Sequence, residues 1–420
     1  MRNSIQSLAD IEVWSISLLV FASLVYERLL PVVIVVAVLF WVIRWIANGQ
    51  LTRRTPIDLP VFLLILMIPV LLWVTVLPEI TQTQVFRLLS GIVLYYAIVN
   101  WAKSYKRLYL VSAGLIFIGI GLAGFALISV NWGPSKLTFI PTSLYQVIAP
   151  RTNDTNNPNV VAGSLILLLP CTLAIMLSSW PQFNGLYRIS AAVVTIVMIG
   201  VLLLTQSRGA WVALGLALII LMFLRWRWGW IGLVSVTILV AIVIYVYGST
   251  SLLEVVTAGT DAGSLSDRVG VWSRALLLLR SAPFTGIGMG SFGYVMDRIF
   301  PISDGVAGRV VHAHNLFLQV ALDGGIPTVI CWLAVLWVGF ATSWKVYMHG
   351  RKMYSRDNWI TGMGAGLFCS QVALAVHGFT DAVTWGMVRP VPLVWALWGI
   401  AISFWVVHAS SNKQDHYKSI

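Results

Sequence analysis

The run ISAAVVTIVMIGVLLLT, Ile189 to Thr205, holds no charged residue, and QSRGAWVALGLALIILMFLR, Gln206 to Arg225, follows it at once with charge only near its two ends. Each is close to the ~20 residues that an α-helix needs to cross a ~30 Å hydrocarbon core. Only the turn Gln206-Ser207-Arg208-Gly209 separates them, so they read as two antiparallel spans. The rest of the chain has the same character. Of its 420 residues 59% are apolar and only 10% are charged, against roughly 25% charged in a soluble domain. The mean hydropathy is +0.87. Water is not the main solvent of this chain.

The same pattern predicts an all-α polytopic membrane protein with twelve helices, near 11–27, 29–47, 58–77, 84–101, 107–130, 159–179, 187–205, 209–225, 228–247, 313–343, 359–380 and 391–408. No repeat or low-complexity linker divides it, so 1–420 reads as one membrane domain. Two polar stretches interrupt the helices, a long one at 249–312 and a shorter one at 131–158. Met1–Asp10 lacks a charged region leading to a small-residue cleavage site, so the first apolar segment is expected to stay as a helix. Cys171, Cys331 and Cys369 all fall in apolar segments, where packing explains them better than disulfides or metal.

Charge sets the orientation. Arg44, Arg53, Arg54, Lys103, Lys106, Arg107, Arg188, Arg225, Arg227, Lys345, Arg351, Lys352, Arg356, Lys413 and Lys418 fall in alternate connections and at the C-terminus, which makes that side cytoplasmic. An even helix count then puts both termini inside and turns 249–312 outward. The net charge of +12 follows from these punctuating residues, and no basic stripe interleaved with aromatics points to nucleic acid.

The outward basic residues are almost all arginine: Arg28, Arg87, Arg151, Arg208, Arg268, Arg274, Arg280, Arg298, Arg309 and Arg389, with Lys136 the one lysine. Guanidinium is planar, weakly hydrated and pairs bidentately with phosphate oxygens, which suits a diphosphate at a lipid surface. Snorkelling to headgroups is the plainer use for any one of them. Arg208 stands out, because its charge sits in a tight turn at the bundle mouth and calls for an anion, a carboxylate such as Asp381, or a helix C-terminus to offset it.

Within the outer segment, Ser266 to Arg280 has a Ser/Asp start and one apolar face, and reads as an interfacial helix bearing Arg268 and Trp272. Asp267 beside Arg268 fits a helix cap as well as a working group. Gly286-x-Gly288-x-Gly290 offers backbone N–H groups to phosphate, but no strand or Lys-Ser/Thr pair accompanies it, so a tight turn is the stronger expectation. His312-Ala313-His314-Asn315 then leads into an apolar helix, and a histidine there can take a proton from a hydroxyl near neutral pH. Metal ligation is the rival use. On a helix His312 and His314 would diverge, whereas His377 and Asp381 would share a face.

These motifs, in the order Thr205-Gln206-Ser207-Arg208-Gly209-Ala210-Trp211, Arg268 with Trp272, Gly286-x-Gly288, His312-Ala313-His314-Asn315, Gly324-Gly325-Ile326-Pro327 and a late Asp381, resemble the O-antigen ligase and Wzy polymerase superfamily over about 150–390. The resemblance implies a bacterial inner-membrane glycosyltransferase of the GT-C type with an extracytoplasmic site. Such enzymes move a glycan from undecaprenyl diphosphate to lipid A-core, another lipid-linked glycan or a protein hydroxyl. Position by position it assigns Arg208 and Arg268 to the lipid diphosphate and His314 to the acceptor, with His312, Asn315, Asp381 and Arg389 as further site residues. No outward carboxylate cluster of the kind that holds Mg²⁺ is visible, so neither metal nor cofactor is expected. Ligase and polymerase share these motifs. A small-anion transporter is the alternative, disfavoured because little in the sequence points to broken helices or inverted repeats, and a non-catalytic scaffold is the third reading.

Overall fold

The computed structural model describes residues 2–132, 142–148, 156–179, 185–247, 265–299, 311–386 and 388–418, and the regular elements among them are helices, with no strand. The helices are α1 (Arg2–Ser23), α2 (Leu30–Asn48), α3 (Asp58–Leu66), α4 (Ile68–Val74), α5 (Pro78–Trp101), α6 (Tyr105–Ser129), α7 (Thr142–Val147), α8 (Pro158–Leu177), α9 (Gly185–Leu204), α10 (Arg208–Arg225), α11 (Gly229–Tyr247), α12 (Leu265–Ser281), α13 (Phe292–Ile299), α14 (Leu316–Met353), α15 (Trp359–Gly378) and α16 (Val391–Lys418). Nine helical segments among the described residues are long and apolar enough to cross a membrane, which makes this a polytopic membrane protein. The expected spans outside that set are α1, α11 and the segment 58–77. The last is broken at Met67, with Pro69 at the start of α4. Lys136, Arg151, Arg309 and, within 249–312, residues 249–264 and 300–310 lie outside the described residues.

Polar caps set several helix starts: Asn157, Asn315 and Asn358 each accept a backbone N–H from the first turn of α8, α14 and α15. Pro158, right after its cap, adds a residue pre-set for the first turn. The bundle centres on α15, which packs against α8, α10 and α14, while α16 packs along α5. Small residues permit these approaches, since lipid supplies no hydrophobic drive between helices and tight van der Waals contact must replace it. A Cβ on Gly91 would collide with the Trp395 ring, so α5 and α16 meet only because that residue is glycine. Gln371 ties three helices, donating to Ser343 Oγ (2.8 Å) and accepting from Trp398 Nε1 (3.1 Å).

The long helix α14 is not continuous. Gly325 sits at φ +74° and ψ −177°, and Pro327 has no N–H to give to the Asp323 carbonyl. The freed carbonyls of Leu322 and Asp323 accept instead from Ile287 N (2.8 Å) and Gly288 N (3.0 Å), and Ile326 N donates to Pro283 O (2.7 Å). The glycine-rich loop is therefore the splint of a broken helix, and the N–H groups of Ile287 and Gly288 are taken by carbonyls, as a tight turn requires. The break itself differs from the uninterrupted helix expected at 313–343.

Candidate active site

His312, Ala313 and His314 precede α14, which starts at Leu316 and not at 313. Because the two histidines are off the helix, they do not diverge. His314 takes a left-handed φ of +47°, which turns the chain so that the two rings lie 4.1 Å apart between centroids. A side chain is uncommon at such a φ and persists where its surroundings hold it. Here Trp272 Nε1 donates to Ala313 O (2.9 Å), and Ala313 N donates to Gln319 Oε1 (2.8 Å). Gln319 is held in turn through Nε2 by Asp323 Oδ1, and Trp385 Nε1 donates to Asp323 Oδ2, both at 2.8 Å.

Helix α12 forms as the periodicity predicts, and Val271, Ala275 and Leu278 on its inner face pack with Phe292, Met296, Ala313 and Leu322 in a small core of their own. This core presses the helix bearing Arg268 onto the histidine turn. The polar pair Gln319 and Asp323, four apart in an otherwise apolar helix, was the missed signal for that support.

Asp381 follows the last turn of α15, its N–H bonded to His377 O (2.9 Å) and its Oδ1 accepting from Ala382 N (2.8 Å). The same oxygen is 3.7 Å from His312 Nδ1 and 3.8 Å from His314 Nδ1. His314 Nδ1 is buried and lacks a hydrogen-bond partner, so Asp381 faces it across a short gap. Burial alone raises the Asp381 carboxyl, but the imidazoles of His314, His312 and His377 outweigh it and hold the group below the usual carboxylate range. His312 is pushed down to about 4, first by burial and then by His314 and Arg268, against the pull of Asp381. At neutral pH the pair is an ionised Asp381 beside a neutral His312. His377 is buried in α15, as expected of a packed helix residue.

The arginines approach from two sides. Arg268 lies close enough for its charge to bear on His312 and His377, and its Nε is buried without a hydrogen-bond partner. Arg208 opens α10. A cation at a helix N-terminus opposes the helix dipole. Its neighbour Gly209 lies so close to Thr380 that a Cβ would strike the Thr380 hydroxyl, with His377 Cδ2 3.6 Å away, which seats the turn on the end of α15 beside Asp381. Gln206, at φ +50°, donates to Tyr145 (2.6 Å) and shapes the same turn. Asn315 caps α14 and donates to Phe379 O (3.4 Å). Arg389 is paired with Glu27 (3.0 Å).

Among the described residues, His312, His314 and Asp381 also place one ligand atom each within 4.8 Å of one another, a spacing that could hold a metal ion. On these residues His312 Nδ1 already accepts from His314 N (3.2 Å) and Asp381 Oδ1 from Ala382 N. The nearby Arg268 charge further opposes a cation.

No curated protein matches the chain. Arg208, Arg268, His312, His314 and Asn315 all fall within residues 193–333, whereas Asp381 and Arg389 lie beyond them. Residues 193–333, about a third of the chain, match the O-antigen ligase family model, Wzy_C, a match that supports the resemblance to the O-antigen ligase and Wzy polymerase superfamily.

Proposed function

We propose that the protein transfers a glycan from undecaprenyl diphosphate to an acceptor hydroxyl, on the extracytoplasmic face of a bacterial inner membrane, as an O-antigen ligase or its polymerase relative. In this reading 1–420 is one GT-C-like membrane unit of twelve spans with both termini cytoplasmic. The observation that carries it is the convergence of His312 and His314, just before α14, on Asp381, after α15, with Arg268 near enough to bear on His312. His314 points Nδ1 at Asp381, which leaves Nε2 for the acceptor. The acceptor O–H gives its proton to Nε2 as its oxygen bonds the anomeric carbon, and the bond from that carbon to the diphosphate oxygen breaks. One displacement inverts the anomeric centre.

Charge developing on the departing diphosphate falls to the guanidiniums of Arg208 and Arg268, fixed donors of the kind that stabilise a transition state without reorganising. No metal is needed in this scheme. Asp381 stabilises the imidazolium that forms, and neutral His312 fills the space beside it without adding charge.

The test pairs donor binding with glycan transfer on correctly folded His314→Gln. Gln keeps a hydrogen-bonding group but has no useful basicity. Donor binding should be near normal while transfer falls by roughly 10²–10⁴, the range for losing a positioned base. Near-normal transfer would remove His314 from the chemistry.

A further inference from the structure

Asp323 and Gln319 stand one turn apart in α14, both fully buried, with a buried Trp385 against them. An ionisable side chain inside a membrane-spanning helix is expensive, and both oxygens of this one are met: Gln319 Nε2 donates to Oδ1 and Trp385 Nε1 to Oδ2, each at 2.8 Å. The two donors belong to different halves of the site. Gln319 accepts the Ala313 N–H (2.8 Å), between the two histidines. Trp385 is four residues past Asp381, in the connection from α15 to α16. Asp323 therefore joins the segment of His312 and His314 to the segment of Asp381. It is itself anchored at the break in α14, where its carbonyl accepts from Gly288 N (3.0 Å). Asn315 Nδ2 also reaches across to Phe379 O, but at 3.4 Å, beyond the roughly 2.7–3.2 Å of a good N–H···O bond.

The direction of these bonds sets the acid apart from its amide. The Ala313 N–H and the Trp385 N–H can only donate, and the Gln319 amide has one end that accepts and one that donates. The chain from Ala313 through Gln319 and residue 323 to Trp385 closes only if residue 323 accepts on both sides. An asparagine there presents a donor to one neighbour, whichever way its amide or that of Gln319 is turned, and two buried N–H groups then face each other. The His314 turn has the most to lose, because its φ of +47° persists only while its neighbours hold it.

We propose that Asp323 is a positioning residue for the transfer reaction. By accepting from Gln319 on one side and Trp385 on the other, it fixes the separation of His314 Nδ1 from Asp381 Oδ1, 3.8 Å, at which the carboxylate stabilises the imidazolium. The inference rests on the transferase reading and adds to it a fully buried residue that acts only through the pair it spaces.

Two readouts on the whole chain in nanodiscs test it. Without any substrate, hydrogen exchange of the 311–316 segment should quicken about tenfold in Asp323→Asn, as for one lost buried hydrogen bond. The paired variant, Asp323→Asn with Gln319→Glu, reverses the middle bond at the same net charge, closes the chain again and should restore the parental rate. With glycan donor and acceptor, Asp323→Asn should lower kcat about 5- to 15-fold, for a His314 shift of about 1–2 Å away from Asp381, with donor KM unchanged and kcat regained in the paired variant. Trp385→Phe keeps a ring but removes the donor on the other side, and should lower kcat comparably even where Asp323→Asn does not fold. Either change should cost less than about twofold further in an Asp381→Asn background, because the spacing of an absent charge is immaterial, whereas a merely structural role multiplies the losses. Unchanged exchange in Asp323→Asn, no recovery in the paired variant, parental kcat in Trp385→Phe, or losses that multiply with that of Asp381→Asn would each overturn the inference and leave the transferase reading in place. Parental kcat in Asp381→Asn alone would remove the role of Asp381, and the inference with it.

Discussion

Asp381→Asn is the substitution that separates the electrostatic part of the proposed mechanism from its scaffold. Asparagine matches aspartate in shape and still accepts the Ala382 N–H that Asp381 Oδ1 receives at 2.8 Å, so the turn after α15 is preserved. What disappears is the negative charge 3.8 Å from His314 Nδ1. When His314 takes the acceptor proton it becomes a cation. At that separation the attraction is about 4 kcal/mol for an effective dielectric constant near 20. Screening is slight, because the Asp381 side chain is only 7% exposed. The amide dipole of asparagine restores part of the attraction, so the expected loss is about 2–4 kcal/mol of transition-state stabilisation, or roughly 30- to 1,000-fold in kcat. The assay is glycan transfer in proteoliposomes, with kcat and the donor KM measured separately and the melting temperature followed alongside. The reasoning predicts a fall in kcat with the donor KM nearly unchanged, since the carboxylate acts on the acceptor side. A kcat within about threefold of the parent would refute the role of Asp381, and a lower melting temperature at unchanged kcat would mark it as structural.

Three further outcomes follow from the same arrangement. Arg268→Lys keeps the charge but loses the planar fork, so donor affinity should weaken by about tenfold and transfer should slow; unchanged donor binding would exclude Arg268 from the diphosphate site. Ser281 and Ser355 are both exposed and the three native cysteines are buried, so single cysteines there report topology against a low background. Ser281→Cys should react with an impermeant maleimide in intact cells and Ser355→Cys should not, the reverse pattern overturning the orientation. Transfer should persist in EDTA, because Arg208 and Arg268 supply the positive charge; loss of activity on chelation, restored by a divalent metal, would assign His312, His314 and Asp381 to a metal instead.

The positions of the helices were legible because a membrane leaves few alternatives. A backbone in hydrocarbon has to satisfy its own hydrogen bonds, so a long apolar run becomes a helix, and expected and observed boundaries such as 187–205 and Gly185–Leu204 agree to within two residues. Legibility ends where a single dihedral decides the outcome. Nothing in the spacing of His312 and His314 announces a left-handed φ at His314, yet that angle separates two divergent side chains from a pair converging on Asp381. It is held by contacts between residues 41 and 62 apart, Trp272 to Ala313 and Trp385 to Asp323, which no local pattern records. Gly324-Gly325-Ile326-Pro327 named a motif, but only the structure shows that the Leu322 and Asp323 carbonyls freed before it are taken up by the Gly286–Gly290 loop, so that two motifs separated in sequence form one joint.

Arg389 shows the complementary case. By composition it belonged with the outward arginines, and charge type alone gave no means of separating those aimed at a substrate from those engaged by the fold. Its pairing with Glu27, from the far end of the chain, together with the same carboxylate's contact to Arg87, places it in a charge cluster of the fold. Arg268 has a buried Nε with no hydrogen-bond partner, and a buried unsatisfied guanidinium nitrogen costs stability unless a ligand meets it. What sets Arg268 apart from the other outward arginines is the place of that donor, near His312 and His377, where the proposed mechanism brings an anion.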